Sequence, residues 1–166
     1  MFWKVFRLAP FSVAVYPFLA PIAMLATLLA WALSPLIATI SMITGKNEVG
    51  GPLAYLYTHD ASLDGGIEQK HDGYDPNAKG FKLWCQRVCW ICRNPASRFD
   101  AYVLGYPSEG STLIFASGEP YPPIHYWSVI ELKNGRRIFG YRHQGRWFGW
   151  KHEAIAGRYL LKAKPF

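Results

Sequence analysis

Residues 8–45 form the stretch that decides the fold, LAPFSVAVYPFLAPIAMLATLLAWALSPLIATISMITG. Between Arg7 and Lys46 the chain contains no ionisable side chain apart from Tyr16. A helix needs about 20 apolar residues to cross the hydrocarbon core of a bilayer, whereas a secretory signal peptide has an apolar region of about 7–15 residues. Because the stretch is too long for a signal peptide, it predicts a retained membrane anchor.

Prolines set the expected layout of this anchor. Pro10, Pro17 and Pro21 crowd its first third, and each of them removes a backbone hydrogen-bond donor. We therefore expect an interfacial segment over 1–17, rich in aromatic residues and lying at the level of the lipid headgroups. A transmembrane helix is expected to follow over 18–45.

The sequence leaves the topology of the anchor open. Pro35 is expected to kink the helix, which a membrane helix tolerates when neighbouring groups satisfy the freed carbonyl. A hairpin of two spans of about 17 residues is the alternative to a single span. Lys4 and Arg7 precede the apolar stretch, so the positive-inside rule favours a cytoplasmic N-terminus. A single span would export the C-terminal domain, and a hairpin would keep it in the cytoplasm.

Charge is distributed unevenly over the rest of the chain. Residues 47–78 hold six acidic residues against one lysine, a net charge of −5, and an acidic irregular linker is expected over 46–79. Residues 133–166 hold nine cationic residues against one glutamate, a net charge of +8. A basic surface next to an anchor suits anionic lipid headgroups, nucleic acid or an acidic protein, and charge alone does not choose among them.

The segment over 80–166 predicts one small α+β domain. Apolar residues and cysteines recur at helical spacing over 80–93, and Pro95 ends this helix. Short apolar or aromatic runs predict strands, and Asn134-Gly135 predicts a hairpin in which both turn residues have positive φ. The strands are expected over 99–106, 112–116, 126–132, 136–142, 147–151 and 159–161. The predicted fold class is therefore membrane-anchored α+β, with an N-terminal transmembrane helix, then one helix packed on a small antiparallel β-sheet.

Cys85, Cys89 and Cys92 have the C-x3-C-x2-C spacing that binds a four-iron cluster in radical-SAM enzymes. Such a cluster needs a loop on which three thiolates converge, whereas here the same spacing places the cysteines on one face of a helix. Cysteine also packs as a small hydrophobe, and three cysteines without a fourth ligand do not complete a zinc site. We therefore predict structural cysteines, no metal and no cofactor, with a cluster, zinc or redox chemistry as alternatives.

The segment THDASLDGG over 58–66 is the candidate polar site. His59, Asp60 and Asp64 place an imidazole and two carboxylates in a glycine-rich loop, where they can hold a divalent cation or supply acid-base groups. The segment lacks the full D-x-D-x-D-G calcium pattern. The competing interpretation is an Asx-turn with solvated carboxylates, and no catalytic residue is assigned.

The C-terminal segment is rich in both aromatic and basic residues. It can form a nucleic-acid stacking platform, a membrane-proximal belt, or the core of a small sheet whose arginines face water, and the last is favoured. No nucleophilic triad, metalloprotease, Walker or dinucleotide motif occurs, so those enzyme classes have no support. The candidate basic and aromatic surface consists of Arg136, Arg137, Arg142, Arg146, Trp147, Trp150 and Lys151.

Three short motifs follow the apolar N-terminus: THDASLDG over 58–65, RVCWICRNP over 87–95 and GWK over 149–151. In this pattern the chain resembles a family of small uncharacterised proteins encoded by tailed bacteriophages and prophages. The family motif begins Thr-Pro-Asp, so this chain has His59 where the family has proline. The family has aliphatic residues at the positions of Cys89 and Cys92. The resemblance implies a phage origin and a bacterial inner-membrane setting, and it implies no catalytic residues.

The function is predicted from the anchor and from the lack of a catalytic constellation. The leading hypothesis is a non-enzymatic, membrane-anchored phage protein at the bacterial inner membrane, acting in superinfection exclusion or lysis control, or as a virion component. The expected partners are the lipid bilayer and a host-envelope or phage protein. Small residues such as Ala23 and Ala30 also permit a homo-oligomer. The alternatives are a membrane-bound hydrolase or transferase that uses His59, Asp60 and Asp64, and nucleic-acid binding by the basic C-terminus.

Overall fold

A computed structural model describes residues 1–69, 73–118 and 125–163 of the chain. Parts of the predicted linker over 46–79 and of the predicted domain over 80–166 fall outside these ranges. Helices occupy the N-terminal and central parts of the chain, and the described strands follow in its last third. Helices and antiparallel strands in separate runs are typical of an α+β protein, so the predicted class is confirmed at this level.

The chain forms two compact units. The first, here called the sheet unit, comprises residues 1–24 and 100–166. The second, here called the helical unit, comprises residues 25–99. The helix predicted over 80–93 therefore belongs to the helical unit, and the strands belong to the sheet unit.

Two helices open the chain, α1 over Phe2–Leu8 and α2 over Pro10–Thr44. With 35 residues, α2 is about 52 Å long. It begins at Pro10 and not near Phe18 as predicted, because proline is well tolerated at the first helical position, where an N–H would have no partner. The segment that was expected to be interfacial is thus itself helical.

Pro35 is accommodated inside α2 by a neighbouring hydroxyl. Proline has no N–H, so the carbonyl of Trp31, one turn earlier, loses its helical partner. The Ser34 hydroxyl donates a hydrogen bond to this oxygen at 2.9 Å. The Thr39 hydroxyl donates in turn to the Pro35 carbonyl at 2.8 Å. The helix therefore continues to its end at Thr44 with the freed carbonyl satisfied.

The helical unit contains the C-terminal part of α2, a 3-10 helix over Gly51–Leu56, α3 over Gly65–Glu68 and α4 over Gly80–Arg93. Its core packs small residues of α2 against larger side chains from the loops and from α4. These core residues are Ala26, Ala30, Ile37, Val49, Tyr57, Leu63, Ile91 and Ala96. The stretch that was predicted as an irregular linker therefore contains two short helices and contributes to a packed core.

The helix predicted for the cysteine motif is confirmed as α4, but its predicted packed face is wrong. Cys89 and Cys92 are exposed, and all three cysteines are free thiols. Polar residues are buried instead because hydrogen bonds satisfy them. The Gln86 side chain accepts a hydrogen bond from the Asp75 N–H at 2.9 Å and donates to the Asp75 carbonyl at 3.3 Å. The buried residues of α4 are Gln86, Arg87, Trp90 and Ile91.

The sheet unit contains a five-stranded antiparallel sheet with the strand order β2-β3-β4-β5-β7. Its strands are β2 over Thr112–Ala116, β3 over His125–Glu131, β4 over Arg137–His143, β5 over Arg146–Trp150 and β7 over Leu161–Lys162. A separate antiparallel pair joins β1 over Tyr106–Pro107 to β6 over Arg158–Tyr159. The predicted antiparallel meander is confirmed over β2 to β5, with small differences at the strand ends.

The predicted hairpin at Asn134-Gly135 joins β3 to β4, but its turn differs from the prediction. Gly135 has a φ of 78°, whereas Asn134 is not among the residues with positive φ. The Gly135 N–H donates to the Leu132 carbonyl, and the Leu132 N–H donates to the Arg136 carbonyl, each at 2.8 Å. The Asn134 side chain accepts a hydrogen bond from the Arg136 N–H at 3.0 Å. This is a longer hairpin loop with a single left-handed glycine, which is a common connection.

The strand predicted over 99–106 is wrong. The chain forms a helix there, α5 over Ser97–Tyr102, and extended pairing begins only at Tyr106. The buried residues of this segment follow helical and not alternating spacing. They are Ser97, Asp100, Ala101 and Leu104. A short apolar and aromatic run is compatible with both periods, and here the tertiary packing selects the helix.

Helix α1 packs on the sheet, whereas the helix predicted over 80–93 belongs to the helical unit. The ring of Phe2 lies 6.2 Å from the ring of Trp127 on β3, and the Lys4 ammonium lies 4.4 Å from the ring of Phe115 on β2. Val5 is fully buried. The first turn of the chain therefore covers part of the sheet unit.

Candidate functional site

The predicted polar site lies in the loop that precedes α3. The Asp60 carboxylate accepts a hydrogen bond from the Ser62 N–H at 3.2 Å, and the Thr58 hydroxyl donates to the Ser62 carbonyl at 2.6 Å. The carbonyl of His59 accepts a hydrogen bond from the Arg98 guanidinium at 3.2 Å. A carboxylate that bonds the backbone two residues later forms an Asx-turn, which is the competing interpretation of this segment. Local hydrogen bonds therefore fix the backbone around His59 and Asp60.

Asp64 is held by a buried arginine from α4. The Nε and Nη2 atoms of Arg87 donate to the two oxygens of Asp64 at 2.8 Å each. Its Nη1 donates to the Ser41 hydroxyl at 3.1 Å and to the Lys46 carbonyl at 3.3 Å. The Arg87 side chain is only 7% exposed and that of Asp64 is 22% exposed. This bidentate pair links α4, the end of α2 and the loop, so Asp64 has a structural partner.

Hydrogen bonds from neighbouring side chains hold the loop in the helical unit, which indicates a structural role. The indole N–H of Trp90 donates to the Ser62 carbonyl at 3.2 Å. The Tyr57 hydroxyl accepts from the Val49 N–H and donates to the Val49 carbonyl, each at 2.8 Å. Burial raises the pKa of Tyr57, so its hydroxyl stays protonated and remains a donor. Within the described parts of the chain, no group of three or more His, Cys, Asp or Glu side chains is placed to hold a metal ion.

The two tryptophans of the predicted basic and aromatic surface are core residues, which corrects their assignment to a surface. Trp150 is fully buried, and its indole N–H donates to the Leu104 carbonyl at 3.0 Å. Trp147 is 8% exposed. Both lie on β5, which is an inner strand between β4 and β7, so their rings fill the core of the sheet unit. This agrees with the favoured interpretation of alternate aromatics as the core of a small sheet.

The cations of the predicted surface do not form one continuous platform. Arg137 pairs with Glu131 at 2.8 Å, and Lys151 pairs with Glu153 at 2.9 Å. Arg142 is partly buried. Stacking of nucleic-acid bases needs exposed aromatic faces, and the two tryptophans of this predicted surface are buried. The exposed cations of the predicted set are Arg136, Arg137 and Arg146.

The sheet brings together two histidines and a tyrosine that no sequence motif marks. The Nδ1 atom of His125 lies 2.7 Å from the Tyr141 hydroxyl and 3.2 Å from the Nδ1 atom of His143. A hydrogen bond between two ring nitrogens needs one protonated and one free nitrogen. Tyr141 also stacks on Trp127, with 4.1 Å between ring centroids. Cross-strand register could have revealed the cluster, because a hairpin centred on Asn134 pairs His125 with His143.

One face of α2 exposes large apolar side chains. An α-helix turns by 100° per residue, so residues 7 or 11 positions apart point in nearly the same direction. Four large side chains of α2 have these spacings and share one direction to within about 20°. Phe18, Leu25, Leu36 and Ile43 are 74%, 58%, 49% and 81% exposed, respectively. A helix in the core of a soluble protein does the opposite and buries such residues. Other large exposed residues of α2 are Phe11, Ile22, Met24, Leu28 and Leu29.

The opposite face of α2 is buried and consists mostly of small side chains. These residues are Ala23, Ala26, Thr27, Ala30, Ser34, Ile37, Ala38 and Ser41. Small residues let the backbone of a helix approach its neighbours closely, and they are typical of packed faces of helices in membranes. The burial pattern of α2 is therefore inverted relative to that of a soluble amphipathic helix.

Folded structure contacts α2 in each unit. In the helical unit the indole N–H of Trp84 donates to the Thr39 hydroxyl at 3.0 Å. In the sheet unit the Tyr16 hydroxyl donates to the Lys162 carbonyl at 3.0 Å, and the rings of Tyr16 and Phe139 lie 5.4 Å apart. The helix is thus attached to polar parts of the chain near its start and near its end.

Comparison with known protein families assigns the chain to a family but gives no function. A sequence profile of the family of unknown function DUF7338 matches residues 8–160, which is most of the chain. The chain belongs to the DUF7338 family. The comparisons with curated proteins and with solved structures give no match. The DUF7338 match includes the apolar helix, the polar loop and the sheet, so these form one inherited unit of sequence.

In this DUF7338 chain, α2 is the one helix of the described residues that is long and apolar enough to cross a membrane. A core helix of a soluble protein can have the same length and hydropathy, but it is mostly buried. Only 22% of the most apolar window of α2 is buried. The exposure of α2 therefore distinguishes it from a core helix and makes its outward face the candidate functional surface.

The N-terminal helix of the DUF7338 chain extends this surface with aromatic and cationic residues. Phe2, Trp3 and Phe6 are 47%, 71% and 37% exposed, and Lys4 and Arg7 lie beside them on α1. Aromatic rings and cations next to an apolar helix are typical of a membrane–water interface. We call the exposed apolar side chains of α2 the apolar face.

Proposed function

We propose that this chain is a membrane-bound interaction protein in which α2 lies in the plane of the bilayer surface, with its apolar face toward the lipid chains. The inverted burial of α2 is the observation that supports it. Exposed apolar area in water costs about 25 cal/mol per Å², and four large side chains of α2 alone are about half exposed or more. A bilayer offers this face an apolar surrounding without any change in the fold.

Lipid suits the apolar face better than a protein partner does. No charged side chain lies between Arg7 and Lys46, so the face is apolar over nearly the whole length of α2. Protein interfaces of soluble partners have a polar rim around a smaller apolar centre. Here the cations lie at the N-terminal end, on α1, together with exposed aromatic rings, as in interfacial helices of monotopic proteins.

The in-plane orientation is supported by what packs on the other face of α2. Ala26, Ala30 and Ile37 of α2 belong to the core of the helical unit, which exposes Asp60 and Arg93. If α2 spanned the bilayer, these charges would be carried toward the hydrocarbon core, where each costs about 2.5–3.5 kcal/mol or more. An interfacial helix buries its apolar face only about 5–10 Å deep and leaves the opposite face on the water side. We therefore prefer this orientation to the single span expected from the length of the stretch.

The biological setting is proposed from the motif resemblance. The motifs over 58–65, 87–95 and 149–151 support a phage origin and the bacterial inner membrane as the site of action. We place the bound chain on the cytoplasmic side, where the positive-inside rule puts the N-terminus. In this setting the bound chain would recruit or block a host-envelope or phage protein, as in superinfection exclusion or lysis control.

Neither alternative function is favoured by a specific contact. A hydrolase or transferase would need a free carboxylate, but Asp64 is paired with Arg87 and Asp60 closes a turn. Nucleic-acid stacking would need exposed rings, but Trp147 and Trp150 are in the core. The membrane-bound interaction protein remains the function that the geometry supports best.

Depth measurements on the full chain test the orientation. Cysteine is introduced singly at Phe18, Leu25, Leu36 or Ile43 in a chain whose native cysteines are replaced by serine, and each is labelled with an environment-sensitive fluorophore. The labelled proteins are bound to vesicles that carry quenchers at different acyl depths. An in-plane helix gives one shallow depth for all four positions, because they share one face. A spanning helix separates the first and last positions by about 37 Å along the membrane normal.

The result that contradicts the proposal is a depth profile with its maximum near the middle of α2 and shallow values at both ends. Complete exposure of all four probes to an aqueous quencher would reject membrane binding altogether. Ala30→Cys on the buried face is the matched control. It should be shielded from both the lipid quenchers and the aqueous quencher, because Ala30 has no exposed surface.

A further inference from the structure

We propose that a groove at the junction of α1 and α2 binds the phosphate of an anionic phospholipid, an inference that rests on the membrane docking proposed above. The groove has a volume of about 770 Å³. Its walls are the end of α1, the start of α2 and the β3–β4 hairpin turn. It lies entirely within the sheet unit, and no established activity assigns it.

Every ionisable side chain that lines the groove is an arginine: Arg7, Arg136 and Arg137. Among the salt bridges of the described residues, Glu131 engages Arg137, and neither Arg7 nor Arg136 has an acidic partner. The guanidinium group is weakly hydrated and presents a planar set of donors that matches phosphate oxygens. Two exposed arginines without acidic partners therefore give the groove a net attraction for a phosphate group.

Arg136 is held in place by its neighbours. Its Nη1 donates to the Tyr106 hydroxyl at 3.1 Å, and its guanidinium carbon lies 5.1 Å from the ring centroid of Phe11 and 5.6 Å from that of Tyr106. Aromatic faces attract a guanidinium without using up its remaining N–H donors. The backbone N–H of Arg136 donates a hydrogen bond to the Asn134 side chain at 3.0 Å, which fixes the hairpin turn that carries Arg136. The side chain is thus preorganised while part of its donor set still faces the groove.

A lipid fits the groove better than a free anion does because the groove also has an apolar wall. Leu8, Pro10 and Phe11 line it together with the arginines. Phe11 is 59% exposed and lies one heptad before Phe18, so both side chains point in nearly the same direction. A phospholipid whose acyl chains lie along this part of the apolar face would present its phosphate to Arg7 and Arg136. A second groove, lined by Trp3, Lys4, Arg7 and Leu8, continues the basic surface along α1.

The test compares binding of the full chain to two kinds of vesicle, phosphatidylcholine alone and phosphatidylcholine with a minority of phosphatidylglycerol. The ratio of the two affinities is the gain due to anionic lipid. Arg7→Gln/Arg136→Gln should lower this gain about 25-fold, at about fivefold per arginine. Lys133→Gln/Arg146→Gln is the matched control, because it removes the same charge from exposed cations outside the groove. Binding to phosphatidylcholine alone should be unchanged in both variants, which also shows that they are folded.

Three results would overturn the proposal. Equal losses in the two double variants would mean diffuse attraction by the basic surface, with no site. Loss of the gain when inorganic phosphate replaces chloride at constant ionic strength would assign the groove to free phosphate. A single-stranded oligonucleotide that displaces the protein from phosphatidylglycerol vesicles in the wild type, and not in the Arg7→Gln/Arg136→Gln variant, would assign it to nucleic acid.

The two proposals can fail separately. If the wild type binds only phosphatidylglycerol vesicles and the groove variant loses that binding, the groove is supported and the apolar docking is rejected. If the wild type binds both vesicles equally well, the apolar docking is supported and the groove is rejected.

Discussion

Replacing Arg87 tests whether the polar loop has a structural role, because its contacts with Arg87 should then stabilise the fold. Arg87→Met keeps the length of the side chain and removes the guanidinium that bonds Asp64 in two places and reaches Ser41 and the Lys46 carbonyl. Removing one partner of a buried ion pair typically costs about 3–5 kcal/mol, because the other charge is left without compensation. Asp64 is 22% exposed and water can partly rehydrate it, so we expect the lower end, about 3 kcal/mol.

The reverse substitution should cost more. Asp64→Leu leaves the Arg87 cation in place, and that side chain is only 7% exposed. Little water can reach it, so we expect a loss near the upper end of the same range, about 4–5 kcal/mol. The double variant, Arg87→Met/Asp64→Leu, leaves no buried charge. It should therefore recover most of the loss and lie within about 1–2 kcal/mol of the wild type.

The free energy of unfolding of the full chain in detergent micelles is the quantity to measure, from urea titrations followed by near-ultraviolet circular dichroism. Lys82→Met is the control, because Lys82 pairs with Asp75 at 2.6 Å on the surface, with its own side chain 63% exposed. We expect a small loss for this variant, well below that of Arg87→Met. The reasoning is refuted if Arg87→Met is as mild as Lys82→Met, or if the losses of the two single variants simply add in the double variant. Strict additivity would mean that Arg87 and Asp64 do not interact.

Three further predictions concern the apolar face, the sheet and the loop. Leu25→Ala should lower partitioning into neutral vesicles about tenfold in a co-sedimentation assay, because the side chain is 58% exposed and about three methylene-sized groups of ~0.8 kcal/mol each are lost. Gly149→Ala should lower the thermal midpoint more than Gly157→Ala, since both have φ near +75° but only at Gly149 would a Cβ lie 2.5 Å from a backbone oxygen. The hydrogen bond from Lys82 holds the pKa of Asp75 below its usual 3.8, so its stabilisation is present above pH 3.8 and lost as the pH falls through the lowered pKa. Asp75→Asn should accordingly flatten the decline of the urea midpoint between pH 4 and pH 2.

Features with local sequence patterns could be predicted well. Helix α4 follows from the helical spacing of its apolar residues and from Pro95 beyond its end. The β3–β4 hairpin follows from Asn134-Gly135 between two apolar runs, even though the turn geometry differed from the expected one. The Asx-turn at Asp60 was likewise one of the two interpretations of its segment. In each case the residues that determine the structure lie within one turn or one hairpin of each other.

Features that depend on distant partners could not be predicted. The packed face of α4 was misassigned because the burial of Arg87 depends on Asp64, Ser41 and Lys46, which lie far from it in the sequence. A spacing rule counts arginine as polar and places it toward water. The strand prediction for the α5 segment was wrong for a related reason. The apolar run fits both the helical and the strand period, and only the tertiary packing selects between them.

The candidate site shows the same division. Trp147 and Trp150 were placed on a surface because composition alone cannot tell an inner strand from an outer one. The proposed phosphate groove combines Arg7 with Arg136 from the far end of the chain, a pairing that no local motif encodes. The histidine cluster also depended on the observed turn, because the predicted two-residue turn pairs His125 with Gln144, whereas the longer loop pairs it with His143.

Hydropathy alone is also insufficient to orient the apolar stretch, because it counts residues without regard to their direction. The same 35 residues of α2 satisfy the length of a span and of an in-plane helix. The proposed in-plane orientation rests on the side chains of α2 that touch protein. Ala26 and Ala30, on the small-residue face that suggested a homo-oligomer, already pack in the core of the helical unit. That face is therefore occupied by the chain itself, and the outward face, with its large side chains, is the part of α2 for which we propose lipid as the partner.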